Sequence, residues 1–382
     1  MSYQEIEFSA AEQRRYHRHL IIPGFGPEGQ QKLKAARVLV IGAGGLGSPL
    51  LMYLAAAGVG HIGIVDFDVV EDSNLQRQVL FGAADLGQLK VEAAKRRLED
   101  LNPHIRITLH QEKLSAENAL AILAAYDVIA DGSDNFPTRY LVNDACVLLG
   151  KPNVYAAVSR FEGQVSVFNY AGQAGDFGPN YRDLHPVPPP PGLIPNCAEG
   201  GVLGVLPGII GSLQALEVVK VITGLGEVLN GRIFIFDGLH FETRTFNIRK
   251  REDNPLNGKK PTITRLIDYE QFCHTRTDVP SIKELSVRDF KQWQASREPF
   301  QLIDVREPEE YAMANIGGEL IPVARILENE SRISRDRKVV VHCKSGSRST
   351  KAIRDLERKF GFDNLYNLSG GLEAYLEADI PI

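Results

Sequence analysis

The 382 residues are 43% hydrophobic and 24% charged, the balance of an ordinary globular protein long enough for two or three domains. A formal net charge of −5 gives no general attraction to nucleic acid or to an anionic membrane, so neither is expected as a partner. The four cysteines, Cys146, Cys197, Cys273 and Cys343, lie too far apart for a CxxC pair or zinc-ribbon spacing. Such usage fits reduced thiols and a cytoplasmic protein.

Met1-Ser2-Tyr3-Gln4-Glu5 lacks the basic segment and apolar core of a secretory leader, and no apolar run is expected to be long enough to cross a bilayer. Residues 1–35 read as polar helix closing in a Pro/Gly loop at Pro23–Gly29. Strands are then expected at 38–41, 62–65, 105–109, 127–131 and 153–157, alternating with helices at 47–57, 88–101, 116–125 and 137–149. This alternation predicts an α/β fold with a mostly parallel sheet covered on both faces. Further β-type segments, Gln164–Tyr170, Arg232–Phe236 and Glu242–Ile248, bracket a proline-rich loop at Gly172–Asn196 and a helix from Pro207 to Thr223. Residues 250–282 are charged and turn-rich, with Asn254-Pro255 and Asn257-Gly258. A fresh α/β pattern follows: helix 286–294, strand 300–304, helix 307–312, strand 338–342, helix 348–359 and strand 364–367. The expected division is a domain over 1–265, a linker over 266–282 and a smaller domain over 283–382.

The run Val38–Ile41 enters Gly42-Ala43-Gly44-Gly45-Leu46-Gly47, and the run Ile62–Val65 ends in Asp66. Strand, glycine turn, helix, strand and acid form the Rossmann pattern, which alone suits an NAD(P)-dependent oxidoreductase. Gly42, Gly44, Gly45 and Gly47 let backbone approach phosphate at a helix N-terminus, although glycine turns also serve plain helix–strand packing. Asp66 is placed either to accept from ribose hydroxyls or to be a solvated strand-end acid. Asn74, Arg77, Gln78 and Lys90 add amides and two cations, more charge than a pyrophosphate needs and suited to a nucleoside triphosphate. Each cation by itself also reads as a surface charge. In Asp131-Gly132-Ser133-Asp134-Asn135, Asp134 sits where Mg²⁺ bridges to phosphates, or caps the helix that begins near Pro137.

Cys343-Lys344-Ser345-Gly346-Ser347-Arg348-Ser349 joins a strand to a helix, a loop that gathers N–H groups around one anion. Arg348 and Lys344 favour a thiolate or persulfide at Cys343. The spacing from Cys343 to Arg348 is one residue shorter than in a cysteine phosphatase, which suits a terminal sulfur better than a tetrahedral phosphate. Cys197 precedes the glycine-rich helix start Gly200–Gly204, where a thiolate is favoured, while a small buried thiol is the commoner fate of an isolated cysteine. Cys146 and Cys273 fall on apolar helix faces and read as structural.

In combination, RYHRHL (15–20), GAGGLGSP (42–49), VDFDVVEDSNLQRQ (65–78), GQLKVEAA (87–94), SDN (133–135) and CAEGGVLGVLPGIIGSLQALEVVK (197–220) resemble the ubiquitin-activating-type adenylyltransferases MoeB and ThiF. The resemblance covers about residues 10–272. It implies ATP and Mg²⁺, with Gly45, Asp66, Asn74, Arg77, Gln78, Lys90, Asp134 and Asn135 as ATP contacts. It further implies a homodimer in which Arg18 enters the partner subunit's site. The implied substrate is the C-terminal Gly-Gly of a small ubiquitin-like sulfur-carrier protein, and Cys197 matches a cysteine that bonds transiently to carrier or sulfur. Most members hold zinc through two CxxC pairs. Here those positions read Asn180, Asp183, Asn254 and Asn257; a neutral amide is a poor zinc ligand, so no structural zinc is expected.

LIDVREPEEY (302–311), LSGGLEAY (368–375) and the Cys343 loop resemble a rhodanese domain, with Asp304 and Arg306 as strand-end cap and ion pair. The fusion is similar to adenylyltransferase–sulfurtransferases of the MoeZ type. That likeness implies a persulfide on Cys343, drawn from a cysteine desulfurase or thiosulfate, which converts the adenylated carrier to a thiocarboxylate for molybdopterin, thiamine or a related pathway. Adenylation without sulfur transfer, and a carrier-binding scaffold, are the rival expectations.

Overall fold

The computed structural model describes residues 7–172, 175–189, 201–274, 282–296 and 299–378. Of these, residues up to 188 and from 201 to 273 form one compact unit, and residues from 282 onward form another.

In the first unit Ser9 caps the helix Ala10–Leu20, accepting from the Glu12 N–H while Glu12 accepts from the Ser9 N–H. The chain re-enters helix at Gly26–Ala35, so the loop expected at Pro23–Gly29 is shorter than its composition suggests. Pro27 occupies the first helical turn, where a missing N–H breaks no intrahelical bond.

β1 (Arg37–Ile41), β2 (His61–Val65), β3 (Arg106–His110), β4 (Val128–Asp131) and β5 (Asn153–Ser159) are parallel. β6 (Glu162–Phe168), β7 (Arg232–Asp237) and β8 (Glu242–Asn247) extend the same sheet antiparallel, giving the order β3-β2-β1-β4-β5-β6-β7-β8. Val38, Leu39, Val40, Ile62, Ile64, Ile129 and Ala130 are buried, as the continuous apolar runs of a doubly covered parallel sheet require. Strand order reverses at β1, which has β2 on one side and β4 on the other. Ile41 is in register with both Val65 and Asp131, so three strand ends lie level at this switch point.

Helix Val205–Thr223 is, contrary to the sequence-based expectation, long and apolar enough by composition to span a membrane. One face packs on the sheet, with Leu206, Ile210, Ala215 and Val218 buried, whereas Val205, Ile209 and Leu216 are exposed. Gln214 Nε2 donates to the carbonyl oxygens of Asp131 and Val154, both at 2.9 Å. The proline-rich stretch contains a helical turn, Tyr181–Leu184, opened by Asn180. Arg182 in that turn forms a fully buried pair with Asp144 at 2.7 Å, and the Tyr269 hydroxyl donates to the same carboxylate at 2.8 Å.

The second unit is a parallel sheet of β9 (Lys283–Leu285), β10 (Phe300–Asp304), β11 (Glu319–Leu320), β12 (Lys338–His342) and β13 (Leu365–Leu368), ordered β11-β10-β12-β13-β9. Val339 and Val341 pack with Ala352 and Ile353 of helix Ser347–Phe360, whereas Val340 packs with Phe290 of helix Val287–Ala295. Side-chain alternation along β12 thus serves a layer on each face. β9 and β11 are too short to have been read from pattern alone.

Candidate functional site

The glycine turn is built by close approach. Gly42 leaves β1 at φ +88°, and a Cβ on Gly47 would stand 2.0 Å from the Gly42 carbonyl oxygen. Only glycine fits there. A Cβ on Gly45 would meet Pro207 at 3.2 Å and the Arg77 stem at 3.6 Å; one on Gly44 would meet the Gln78 amide at 3.6 Å. Arg77 and Gln78 are therefore brought onto the turn, as expected from sequence. Gln78 donates to Asn74 Oδ1 at 2.8 Å, which joins Asn74 to the same group.

Asp66 sits at the end of β2. Its Oδ2 accepts from the Ala43 N–H at 2.8 Å and its Oδ1 from the Asp68 N–H at 2.9 Å. Burial pushes this carboxyl above its ordinary value. It is thus a buried group tied to the glycine turn, and not a solvated acid. Lys90 opens the helix Lys90–Leu101, is nearly buried, and pairs with Asp68 at 2.9 Å. Asp68 was not singled out from sequence; only its place two residues beyond the strand-end acid hinted at it.

Beyond β4, Asp134 and Asn135 are exposed. The cap of helix Phe136–Leu149 is Asn135, whose Oδ1 accepts from the Thr138 N–H at 3.0 Å, so Asp134 is left free of that duty. Asp131, unflagged by the sequence, is buried, and burial pushes its carboxyl up. Asp131 Oδ2, Ser133 Oγ, Ser48 Oγ and Gln78 Oε1 are buried without a hydrogen-bond partner among the described residues. All four belong to the glycine turn or to segments touching it, so buried polar atoms gather at this turn. Arg18 stands exposed in the last turn of helix Ala10–Leu20, outside this group. Cys197 lies outside the described residues.

In the second unit β12 delivers Cys343 into a tight loop. The Gly346 N–H donates to Cys343 Sγ at 3.2 Å, and the Ser349 hydroxyl lies 3.6 Å from the sulfur. Gly346 takes φ +100°. The N–H groups of Leu372 and Glu373, from helix Gly371–Glu377, donate to the Cys343 and Lys344 carbonyls at 2.9 and 3.0 Å. A Cβ on Gly371 would stand 2.6 Å from both carbonyl oxygens, so the helix start backs the loop only as glycine. The thiol is buried inside this cradle.

The cations expected from sequence to favour a thiolate are shared with carboxylates, and Arg348 also interacts with the Cys343 thiol. Arg348 is held by Glu310 and Lys344 by Glu373 at 3.2 Å, so each cation meant to favour a thiolate has a carboxylate partner. Asp304 and Arg306 form a buried pair at 2.6 Å, the structural role anticipated. Cys146 and Cys273 are also buried; burial pushes the first thiol well up and the second to about 11.

Residues 16–257 match the model of the ThiF family, and residues 286–378 match that of the rhodanese-like domain. The chain is 48% identical over 380 residues to a probable adenylyltransferase/sulfurtransferase MoeZ of Mycobacterium tuberculosis, covering 98% of this chain and 95% of that protein. It is 51% identical over 271 residues to a sulfur carrier protein adenylyltransferase of Thermus thermophilus, covering 71% of this chain and all of that one (100%). It is 43% identical over 389 residues to the adenylyltransferase and sulfurtransferase MOCS3 of Anopheles gambiae, covering 96% and 87%. Among solved structures, E. coli MccB superposes with a TM-score of 0.56 at 24% identity over 64% of this chain and 74% of that one, a likeness of fold.

Proposed function

This chain belongs to the ThiF family and continues into a rhodanese-like domain, and from that premise we propose that it is an adenylyltransferase–sulfurtransferase acting on a small ubiquitin-like sulfur-carrier protein. It uses ATP to adenylate the carrier's C-terminal glycine and then transfers sulfur to give a thiocarboxylate. The observation that carries this reading is the gathering of Asp66, Arg77, Gln78 and Lys90 around one glycine turn at the switch point of the sheet.

A C-terminal carboxylate, of pKa about 3.5, is already ionised at neutral pH, so its attack on the α-phosphorus needs no general base. Alignment and charge neutralisation remain to be supplied. Glycines 42, 44, 45 and 47 admit the phosphates, with Asn74 and Gln78 beside them and Asp66 toward the ribose. Arg77 and Lys90 offset charge as pyrophosphate leaves, Lys90 exchanging Asp68 for phosphate. Asp134, an exposed carboxylate beside Asn135, would hold Mg²⁺, which when bound would supply further charge neutralisation. In a homodimer, the partner subunit's Arg18 adds another cation.

Cys343 takes sulfane sulfur from a cysteine desulfurase or thiosulfate. The outer sulfur of the persulfide attacks the acyl carbon, AMP departs, and an acyl disulfide joins carrier to Cys343. Attack by the Cys197 thiolate on the Cys343 sulfur breaks the S–S bond and leaves the carrier thiocarboxylate. A cellular dithiol then reduces the Cys197–Cys343 disulfide.

The test is exchange of labelled pyrophosphate into ATP in the presence of each Gly-Gly-terminated small protein encoded beside or near the gene, with the carrier mass read afterwards. An AMP adduct that becomes a thiocarboxylate when a sulfur donor is added supports the proposal. No exchange with any of them overturns it.

A further inference from the structure

The four positions at which the MoeB/ThiF resemblance implies zinc-binding cysteines hold one another instead. Asn254 Nδ2 donates to Asp183 Oδ1 at 2.7 Å and to Asn180 Oδ1 at 3.3 Å. Asn180 Nδ2 donates to Asn257 Oδ1 at 3.1 Å, and the Asn180 N–H donates to Asp183 Oδ2 at 2.8 Å. Backbone completes the set: the Arg251 N–H reaches Asp183 Oδ1 at 2.8 Å, the Arg182 N–H reaches Asn180 Oδ1 at 2.9 Å, and the Leu256 N–H reaches Asn254 Oδ1 at 2.9 Å. Asn180, Asp183 and Asn254 are buried.

These residues do not fit a zinc ion. Three are neutral carboxamides, without the charge that thiolates bring to a divalent cation. Every side-chain oxygen of the four already accepts from an N–H, so a metal would have to displace bonds that satisfy buried groups. The amide nitrogens of Asn180 and Asn254, pointing at those oxygens, would meet the cation with their own positive ends.

The turn that carries two of the positions is nonetheless kept tight. The Gly258 N–H donates to the Asn254 carbonyl at 2.9 Å, and a Cβ on Gly258 would stand 2.5 Å from the Glu252 oxygen and 2.6 Å from the Asn254 oxygen. The turn at 251–258 is therefore closed by its own backbone, with no thiolate at either of its two positions.

We propose that Asn180, Asp183, Asn254 and Asn257 form a metal-free clip that ties the helical turn Tyr181–Leu184 to the turn at 251–258. The clip joins segments about seventy residues apart in sequence (Asn180 to Asn254), the task the two CxxC pairs perform through zinc. A closed set of hydrogen bonds among buried groups is costly to leave half made, so the members act together. The proposal is independent of whether the glycine turn adenylates anything.

Full-length protein tests it. Metal analysis is expected to find zinc far below one per chain, and the melting temperature is expected to be the same with and without a strong zinc chelator. Asn254→Ala, which deletes two donated bonds and the one accepted from the Leu256 N–H, is expected to lower the melting temperature of the first unit by roughly 4–8 °C. Stoichiometric zinc whose removal lowers the melting temperature overturns the proposal, as does an Asn254→Ala variant that melts with the wild type. Should Asn254→Ala not fold, Asn257→Ala removes one bond and is expected to give a smaller loss; no loss there overturns the clip equally.

Discussion

Arg348 and Glu310 face each other through two hydrogen bonds, Nη1 to Oε2 at 2.5 Å and Nη2 to Oε1 at 2.7 Å, across thirty-eight residues of sequence. Arg348 holds the Glu310 carboxyl down at about 2, and Glu310 in turn raises the guanidinium. The arginine that belongs to the Cys343 loop is thus electrically shared with helix Pro308–Met313.

Replacing Glu310 by Gln leaves the shape and frees the charge. Alkylation of Cys343 at fixed neutral pH is expected to become severalfold faster in Glu310→Gln and slower in Arg348→Ala, measured by iodoacetamide trapping and peptide mass. Equal rates in all three proteins would refute the coupling.

The same pair has a pH signature. A carboxyl whose folded value lies below its ordinary 4.5 contributes stability above that value and loses it as pH falls through about 2. The difference in melting temperature between wild type and Glu310→Gln is therefore expected to be constant above about pH 5 and to close as acid is added. A gap that widens in acid would have the wrong sign.

Lys90 is nearly buried beside Asp68 and Arg77 lies against Gly45. Lys90→Ala and Arg77→Ala are each expected to slow ATP–pyrophosphate exchange about 10²–10³-fold, the usual cost of removing one group that stabilises transition-state charge. Circular dichroism should show the fold retained. Exchange within twofold of wild type would remove these residues from the site.

Cys343→Ala is expected to leave pyrophosphate exchange unchanged and to abolish the thiocarboxylate, read as the mass of the intact carrier. Loss of both activities would contradict the division of labour between glycine turn and thiol loop.

Asp144 and Arg182 are both buried, and Asp144 also accepts from Tyr269. Asp144→Ala strands a buried guanidinium and is expected to cost about 3–5 kcal/mol in denaturant unfolding. The double variant Asp144→Leu with Arg182→Met is expected to recover most of that loss, because no charge is then left unpaired.

The runs Val38–Ile41 and Ile62–Val65 announce central strands because both faces are covered, and Gly42 and Gly47 announce a turn because no other residue fits. That much follows from local pattern. The partner of Lys90 does not: Asp68 is 22 residues away and reaches it because the segment after β2 pairs with the segment before the helix, Val69 against Leu89 and the Lys90 N–H on the Asp68 carbonyl at 2.9 Å. Glu310 escaped notice for the same reason; the helix expected over Pro207–Thr223 was legible, but the two buried bonds through Gln214 that join it to β4 and β5 were not. Asn180, Asp183, Asn254 and Asn257 were legible as ligands lost; that they had become partners required their positions in space.

A fold fastened by carboxamides has a chemical advantage in a protein that handles reactive sulfur. Cysteine ligands are open to oxidation, mixed polysulfides and metal release, whereas the carboxamides of Asn180 and Asn254 carry no thiolate to react with sulfane sulfur. On the proposed clip, folding of the first unit would not draw on cellular zinc.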